Sequence, residues 1–111
     1  MTIKVKDFIN SNIATSGEKG YKLQEFIKQN LVNKIILDFE GIELVNSHFL
    51  RRAIGELYKQ KELIPMLEKN LIIKNLEEDD LEILNKRIVP LYKDYKRVEK
   101  SQQDFFDEIQ D

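Results

Sequence analysis

Three observations make this chain an α/β protein, a small mixed sheet with helices packed on it and a helical extension at the C-terminus. Ile35-Ile36-Leu37-Asp38-Phe39 is an apolar run of strand length, helical patterns flank it on both sides, and the last third repeats apolar residues at three- and four-residue steps. At 111 residues the chain has room for one domain and little more. Residues 1–89 read as the α/β domain and residues 90–111 as the extension.

The elements follow in order. Thr2-Ile3-Lys4-Val5-Lys6 alternates polar and apolar residues with β-branching, the pattern of a strand with one buried face. Residues 11–14 read as a turn. Thr15 stands three residues before Glu18, the spacing of a reciprocal helix cap, and the helix it opens buries Leu23, Phe26, Ile27 and Leu31. The unbroken run at Ile35 predicts a central strand covered on both faces by helices. Glu40-Gly41 signals a turn, residues 42–45 a tight connection, and Asn46-Ser47 can cap a helix over residues 48–59. Phe49, Leu50, Ala53, Ile54, Leu57 and Tyr58 give that helix a broad apolar face. A short helix or turn around Pro65 precedes a second buried strand at Leu71-Ile72-Ile73-Lys74. Glu77-Glu78-Asp79-Asp80 then places acids where a helix dipole favours them. Leu81, Leu84, Ile88, Leu91, Tyr95, Val98, Phe105 and Ile109 form a seam, with Gln102 its polar member. Pro90 must kink or break that helix, and it fits best in the first turn of a new one.

Composition narrows the function classes. With 18 Lys+Arg against 20 Asp+Glu, the net charge of −2 supplies no field for holding a phosphate backbone, so nucleic acid is not the expected partner. No cysteine and a single histidine leave no thiolate site, no Cys nucleophile and no His-rich metal site, and no cofactor is expected. No run approaches the ~20 apolar residues of a membrane span, and the N-terminus lacks the apolar stretch of a signal peptide. A cytoplasmic protein without membrane contact is expected.

The segment from Ile35 through Leu50, with its strand ending in Asp38-Phe39, then Gly41, Ile42, Leu44, Asn46-Ser47-His48 and Phe49, resembles the central motif of the STAS-like family of unknown function. That family is related to the anti-sigma-factor antagonists. The neighbourhoods of Gly20, Leu23, Leu71 and Asn75 sit where its pattern would place them, and the resemblance covers roughly residues 1 to 89. It implies a non-enzymatic regulatory module that binds a protein partner, a kinase-like ATPase regulator. It also implies a switch: in the antagonists a Ser at a helix N-terminus is phosphorylated, and Ser47 is the matching position. Asn46 and His48 stand where those proteins carry Asp and Ser, and Gly17 where the family pattern has Arg.

The chemistry is consistent with that implication. A phosphate at a helix N-terminus meets free N–H groups, and Arg51 one turn along could reach it. Asn46, Ser47, His48 and Arg51 are therefore the expected partner-binding residues, although Ser47 as an ordinary helix cap is the plainer reading. His48 has no nucleophile or orienting acid beside it in sequence, so no catalytic residue is assigned. Asp38 and Glu40 read as turn-capping acids rather than a catalytic pair. Lys93, Lys96, Arg97 and Lys100 read as a solvated basic band. A second class is a small-ligand binder or enzyme using the crevice at the strand carboxyl ends. A third is a phage or defence-associated protein inhibitor. Leu91, Tyr95, Val98, Phe105 and Ile109 need cover, either from a second copy in a homodimer or by folding back on the domain.

Overall fold

The computed structural model describes residues 1–94. Of the expected seam, Tyr95, Val98, Phe105 and Ile109 lie outside the described residues. The chain runs β1 (Thr2–Lys4), α1 (Val5–Ile9), β2 (Ile13–Ala14), α2 (Gly17–Asn30), β3 (Ile35–Asp38), β4 (Leu44–Val45) and α3 (Ser47–Ala53). Two 3₁₀ turns follow (Gly55–Lys59 and Lys61–Leu63), then α4 (Ile64–Asn70), β5 (Leu71–Lys74), α5 (Glu78–Ile83), a π-helical turn (Leu84–Ile88) and α6 (Val89–Lys93). The architecture is α/β, as the alternation of patterns implies.

The main sheet has the order β1-β3-β5, with Ile3 beside Leu37 and Leu37 beside Ile73. Each ladder among the described residues is parallel, the pairing that strands alternating with helices indicate, although the sheet as a whole was expected to be mixed. The reason is connectivity, because every step between neighbouring strands of the main sheet is a crossover that carries helices. Both crossovers step the same way across the sheet, and crossovers of one hand then lay all their helices on one face. That face buries Ile3, Ile35 and Leu37 against Leu23, Ile27, Phe49 and Leu57. No described element covers the other face: among the described residues Thr2, Lys4 and Lys74 are exposed and Ile72 keeps 37% of its surface. Among the described residues, helices therefore cover the central strand on one side, where cover on both was expected.

Local corrections follow the same logic. The alternation through Lys6 stops being a strand at Lys4, and Val5 and Ile9 turn inward from a short helix instead. At α2 the cap is Ser16, not Thr15: its Oγ accepts from the Lys19 N–H at 3.2 Å. Leu23, Ile27 and Leu31 are buried as expected, while Phe26 stays at the rim, tilted against Phe8. Gly20 is the close approach between α2 and α3, since a Cβ there would stand 3.0 Å from Arg52 Cβ and 3.1 Å from the Phe49 carbonyl oxygen. The buried Gln24 side chain donates to the Arg52 carbonyl and to Glu56 Oε1, so no polar group is stranded between the helices.

The end of the described chain folds back on its own core. Pro90 has no N–H to give to the preceding turn, and the turn before it opens to π geometry, with the Val89 N–H reaching the Leu84 carbonyl. Pro90 then sits in the first turn of α6. The wider turn carries the buried row one residue further. Leu84 and Ile88 are buried and Tyr92 packs behind them, whereas Leu91, expected in the seam, is 49% exposed. Gly55 makes room for this row, because a Cβ on it would lie 2.6 Å from Ile88 and 2.9 Å from the Tyr92 ring. Lys93 completes the contact with a 2.7 Å ion pair to Glu68 and a position over the Tyr58 ring. The boundary expected after residue 89 falls within these continuous helical turns.

Candidate functional site

The strands' carboxyl ends and the N-termini of α2 and α3 meet at one end of the molecule. There β2 and β4 form a second, two-stranded parallel sheet that pairs Ile13 with Leu44 and Ala14 with Val45. The Asn46 N–H extends this ladder to the Ala14 carbonyl at 3.3 Å. Residues 11–14 and 42–45 were expected to be a turn and a connection. Two-residue strands are too short to show a period, so nothing in the sequence marked them.

This small ladder aims the start of α3 at solvent. Asn46 is the cap: its Oδ1 accepts from the Phe49 N–H at 2.8 Å. Ser47 is therefore the first helical residue and not the cap, which corrects the plainer reading of it. Asn46, Ser47, His48 and Arg51 are all exposed. Ser47 Oγ makes no hydrogen bond among the described residues. Arg51 lies four positions on, on the same helical face, and it forms no ion pair among the described residues. The structure thus brings the four expected residues together on one turn and a half of helix.

His48 lies against Gly17, where a Cβ would strike its imidazole. No carboxylate orients the ring among the described residues. The neighbouring Arg52 has the role that the sequence reading missed. Its Nε donates to the Gly17 carbonyl at 3.5 Å, its Nη1 stands 3.5 Å from Glu56, and its guanidinium lies over the Tyr21 ring. It ties α3 to the start of α2, and its four-residue spacing from Glu56 was the available signal. Also missed were Ile13 and Leu44, which face each other across the small ladder and keep 39% and 54% of their surface.

A few hydrogen bonds hold this end together. Asp38 Oδ1 accepts from the Glu40 N–H at 2.9 Å and from Asn75 Nδ2 at 2.8 Å, so Asp38 caps its turn as expected. Asn75 has φ +59°, a left-handed conformation that Asn tolerates better than most side chains. The Asn75 bond, then the Glu40 amide, hold the Asp38 carboxyl below its ordinary value. Glu40 is exposed and shares no hydrogen bond with Asp38 through its side chain. Beside this lock is a crevice of about 210 Å³, lined by Phe39, Ile42, Glu43, Asn75, Glu77 and Asp80 among others. Partial burial and then the charges of Glu77 and Asp79 push the Asp80 carboxyl above its ordinary value.

Among the described residues no three His, Asp or Glu side chains converge on a metal-sized site, and no helix is long and apolar enough to cross a membrane. Of the basic band, Lys93 is engaged with Glu68, and Lys96, Arg97 and Lys100 lie outside the described residues.

A family model described as a STAS-like domain of unknown function matches residues 19–81, more than half of the 111-residue chain. The match begins in the first turn of α2 and ends in α5, so it takes in β3, the Asn46–Ser47 turn, α3 and β5. No curated protein and no solved structure matches the chain significantly.

Proposed function

The chain belongs to the STAS-like domain family of unknown function, and on that footing we propose that it is a non-enzymatic regulatory module whose protein partner docks around Ser47 and is released when that serine is phosphorylated. The observation that carries the reading is the division of labour at the start of α3. Asn46 does the capping, which leaves the Ser47 hydroxyl exposed, unbonded among the described residues and free of any stabilising duty. Arg51 on the same face offers a phosphate a charge-assisted partner. Ile13 and Leu44 add an exposed apolar pair beside a polar rim, the composition of a protein contact. The family resemblance points to a kinase-like ATPase regulator as the partner class. The competing ligand reading rests on two cavities at the strands' carboxyl ends, about 210 Å³ beside Asp80 and about 330 Å³ between Lys4, Lys6, Asp7, Glu40 and Gly41, which lie below and at the low end of the roughly 300–1,000 Å³ of small-molecule sites.

The test is quantitative capture of partners from the native cell on full-length wild type, Ser47→Ala and Ser47→Asp, with circular dichroism to confirm the fold. A partner held by wild type and Ser47→Ala but weakened on the order of tenfold by Ser47→Asp, about 1.4 kcal/mol, is the expected result. Equal capture by all three chains would remove the switch and leave Ser47 as an ordinary surface residue.

A further inference from the structure

Arg51 and Arg52 are neighbours in sequence with opposite duties, and that contrast bears on what a docking partner must carry. Arg52 is occupied: it reaches the Gly17 carbonyl and Glu56 and lies over the Tyr21 ring. Arg51 is exposed and makes no hydrogen bond, ion pair or ring contact among the described residues. The described fold makes no use of its guanidinium. Ser47 stands four positions earlier in α3, on the same helical face, where side chains at that spacing are neighbours. A partner that docks around Ser47 therefore covers Arg51 too. Arginine does not give up its proton, and a covered guanidinium without an anion is strongly unfavourable. The covering surface must then supply one.

Building on the Ser47 reading, we propose that the partner presents an Asp or Glu carboxylate to Arg51, and that a phosphate on Ser47 takes Arg51 away from it. Carboxylate and phosphate both match the guanidinium fork, so one side chain serves either anion. The phosphate has three advantages. It carries more charge than a carboxylate, about −1.5 to −2 at pH 7. It is tethered to the same helix, which gives it an effective concentration that a separate molecule does not match. An anion four residues before a cation is also the favourable order along a helix. Once the phosphate holds Arg51, the partner's carboxylate faces an anion instead of a cation. The acidic group belongs at α3 and not at the neighbouring crevice, whose lining already carries Glu43, Glu77 and Asp80.

Two measurements on the full-length chain test this. The first needs no partner: a phosphorus-31 NMR titration of the chain carrying phosphoserine at position 47, with and without Arg51→Gln. Arg51 should hold the second ionisation of the phosphate at a lower midpoint than the variant does, and added salt should narrow the gap. Equal midpoints would overturn the proposal, because the phosphate would not be engaging Arg51. The second measurement follows the native-cell proteins that wild type retains and Ser47→Asp releases, captured on Arg51→Lys, Arg51→Gln and Arg51→Glu chains of native circular dichroism. A graded loss is expected, smallest for Arg51→Lys, at least about tenfold for Arg51→Gln and largest for Arg51→Glu. A loss no greater for Arg51→Glu than for Arg51→Gln would show that the partner's group is not acidic, and the proposal would fall. If a protein is released by Ser47→Asp and yet tolerates Arg51→Gln, the switch stands and this proposal alone fails. If Ser47→Asp releases nothing, the switch fails and the competition for Arg51 fails with it.

Discussion

At its C-terminal end α3 runs into a wall of side chains, with Ala53, Ile54 and Leu57 at most 1% exposed, while at its N-terminal end Asn46, Ser47 and His48 all face solvent. The first end is held by packing and the second by a handful of hydrogen bonds from Asn46, Asp38 and Asn75. Packing leaves no side chain idle, because each buried group is felt when its volume changes. Hydrogen bonds use only the atoms that make them. Ser47 and Arg51 can therefore be given to a partner without cost to the fold, and nothing comparable is available around Gly55.

The largest effect should come from overfilling the packed end. Gly55→Ala puts a methyl group 2.6 Å from Ile88 and 2.9 Å from the Tyr92 ring, so the row behind α3 must move. A loss of about 1–3 kcal/mol is expected, read as a lower urea midpoint with an unchanged slope. A wild-type midpoint would mean that residues 84–93 pack more loosely than the contact implies, and the contrast between the two ends would collapse.

How much of this was legible depended on how many residues each feature spans. The buried row of α2, the run of β3 and the apolar residues from Phe49 to Tyr58 each repeat over several turns or positions, and their burial was readable from spacing alone, although the helix expected over residues 48–59 ends at Ala53 and gives way to the 3₁₀ turn Gly55–Lys59. Features of one or two residues were not. β2 and β4 are two residues each, and the choice between Asn46 and Ser47 as cap is a shift of one position between two good capping types. The swap of Leu91 for Tyr92 in the buried row comes from one wide turn before Pro90. The sheet face that no described element covers escaped for another reason. An apolar run shows that a strand can be buried on both sides, whereas the direction of the crossovers decides which side has helices, and that is tertiary information.

A middle-sized effect should separate the two neighbours at the exposed end. Asn46→Ala removes the acceptor for the Phe49 N–H and should cost about 1 kcal/mol, whereas Asn46→Asp keeps an acceptor and should cost much less. Ser47→Ala should stay within about 0.5 kcal/mol of wild type, as surface substitutions without a partner do. Urea unfolding of the three variants side by side reads this directly. A costly Ser47→Ala would mean that the hydroxyl has a structural duty after all, and the division of labour behind the proposed switch would fail.

The smallest effect is the one that depends on pH. Asp38 is held below its ordinary value of 3.8, first by the Asn75 side chain, then by the Glu40 amide and the nearby charges of Lys4 and Lys74. Because the folded-state value is depressed, the unfolded chain binds the proton more readily, and stability rises with pH across that window. The contribution is fully present above the unfolded value near 4 and is lost as the pH falls through the lower folded value. Asn75→Gly removes the main donor while keeping a residue that accepts φ +59°. The backbone entropy that the glycine adds is the same at every pH, so it shifts the whole curve without bending it. The difference in urea midpoint between wild type and Asn75→Gly should accordingly be greatest and flat above about pH 4 and shrink towards pH 2. An equal difference at pH 2 and pH 6 would show that Asn75 supports the turn by its backbone alone, and that the exposed end owes nothing to the ionised Asp38.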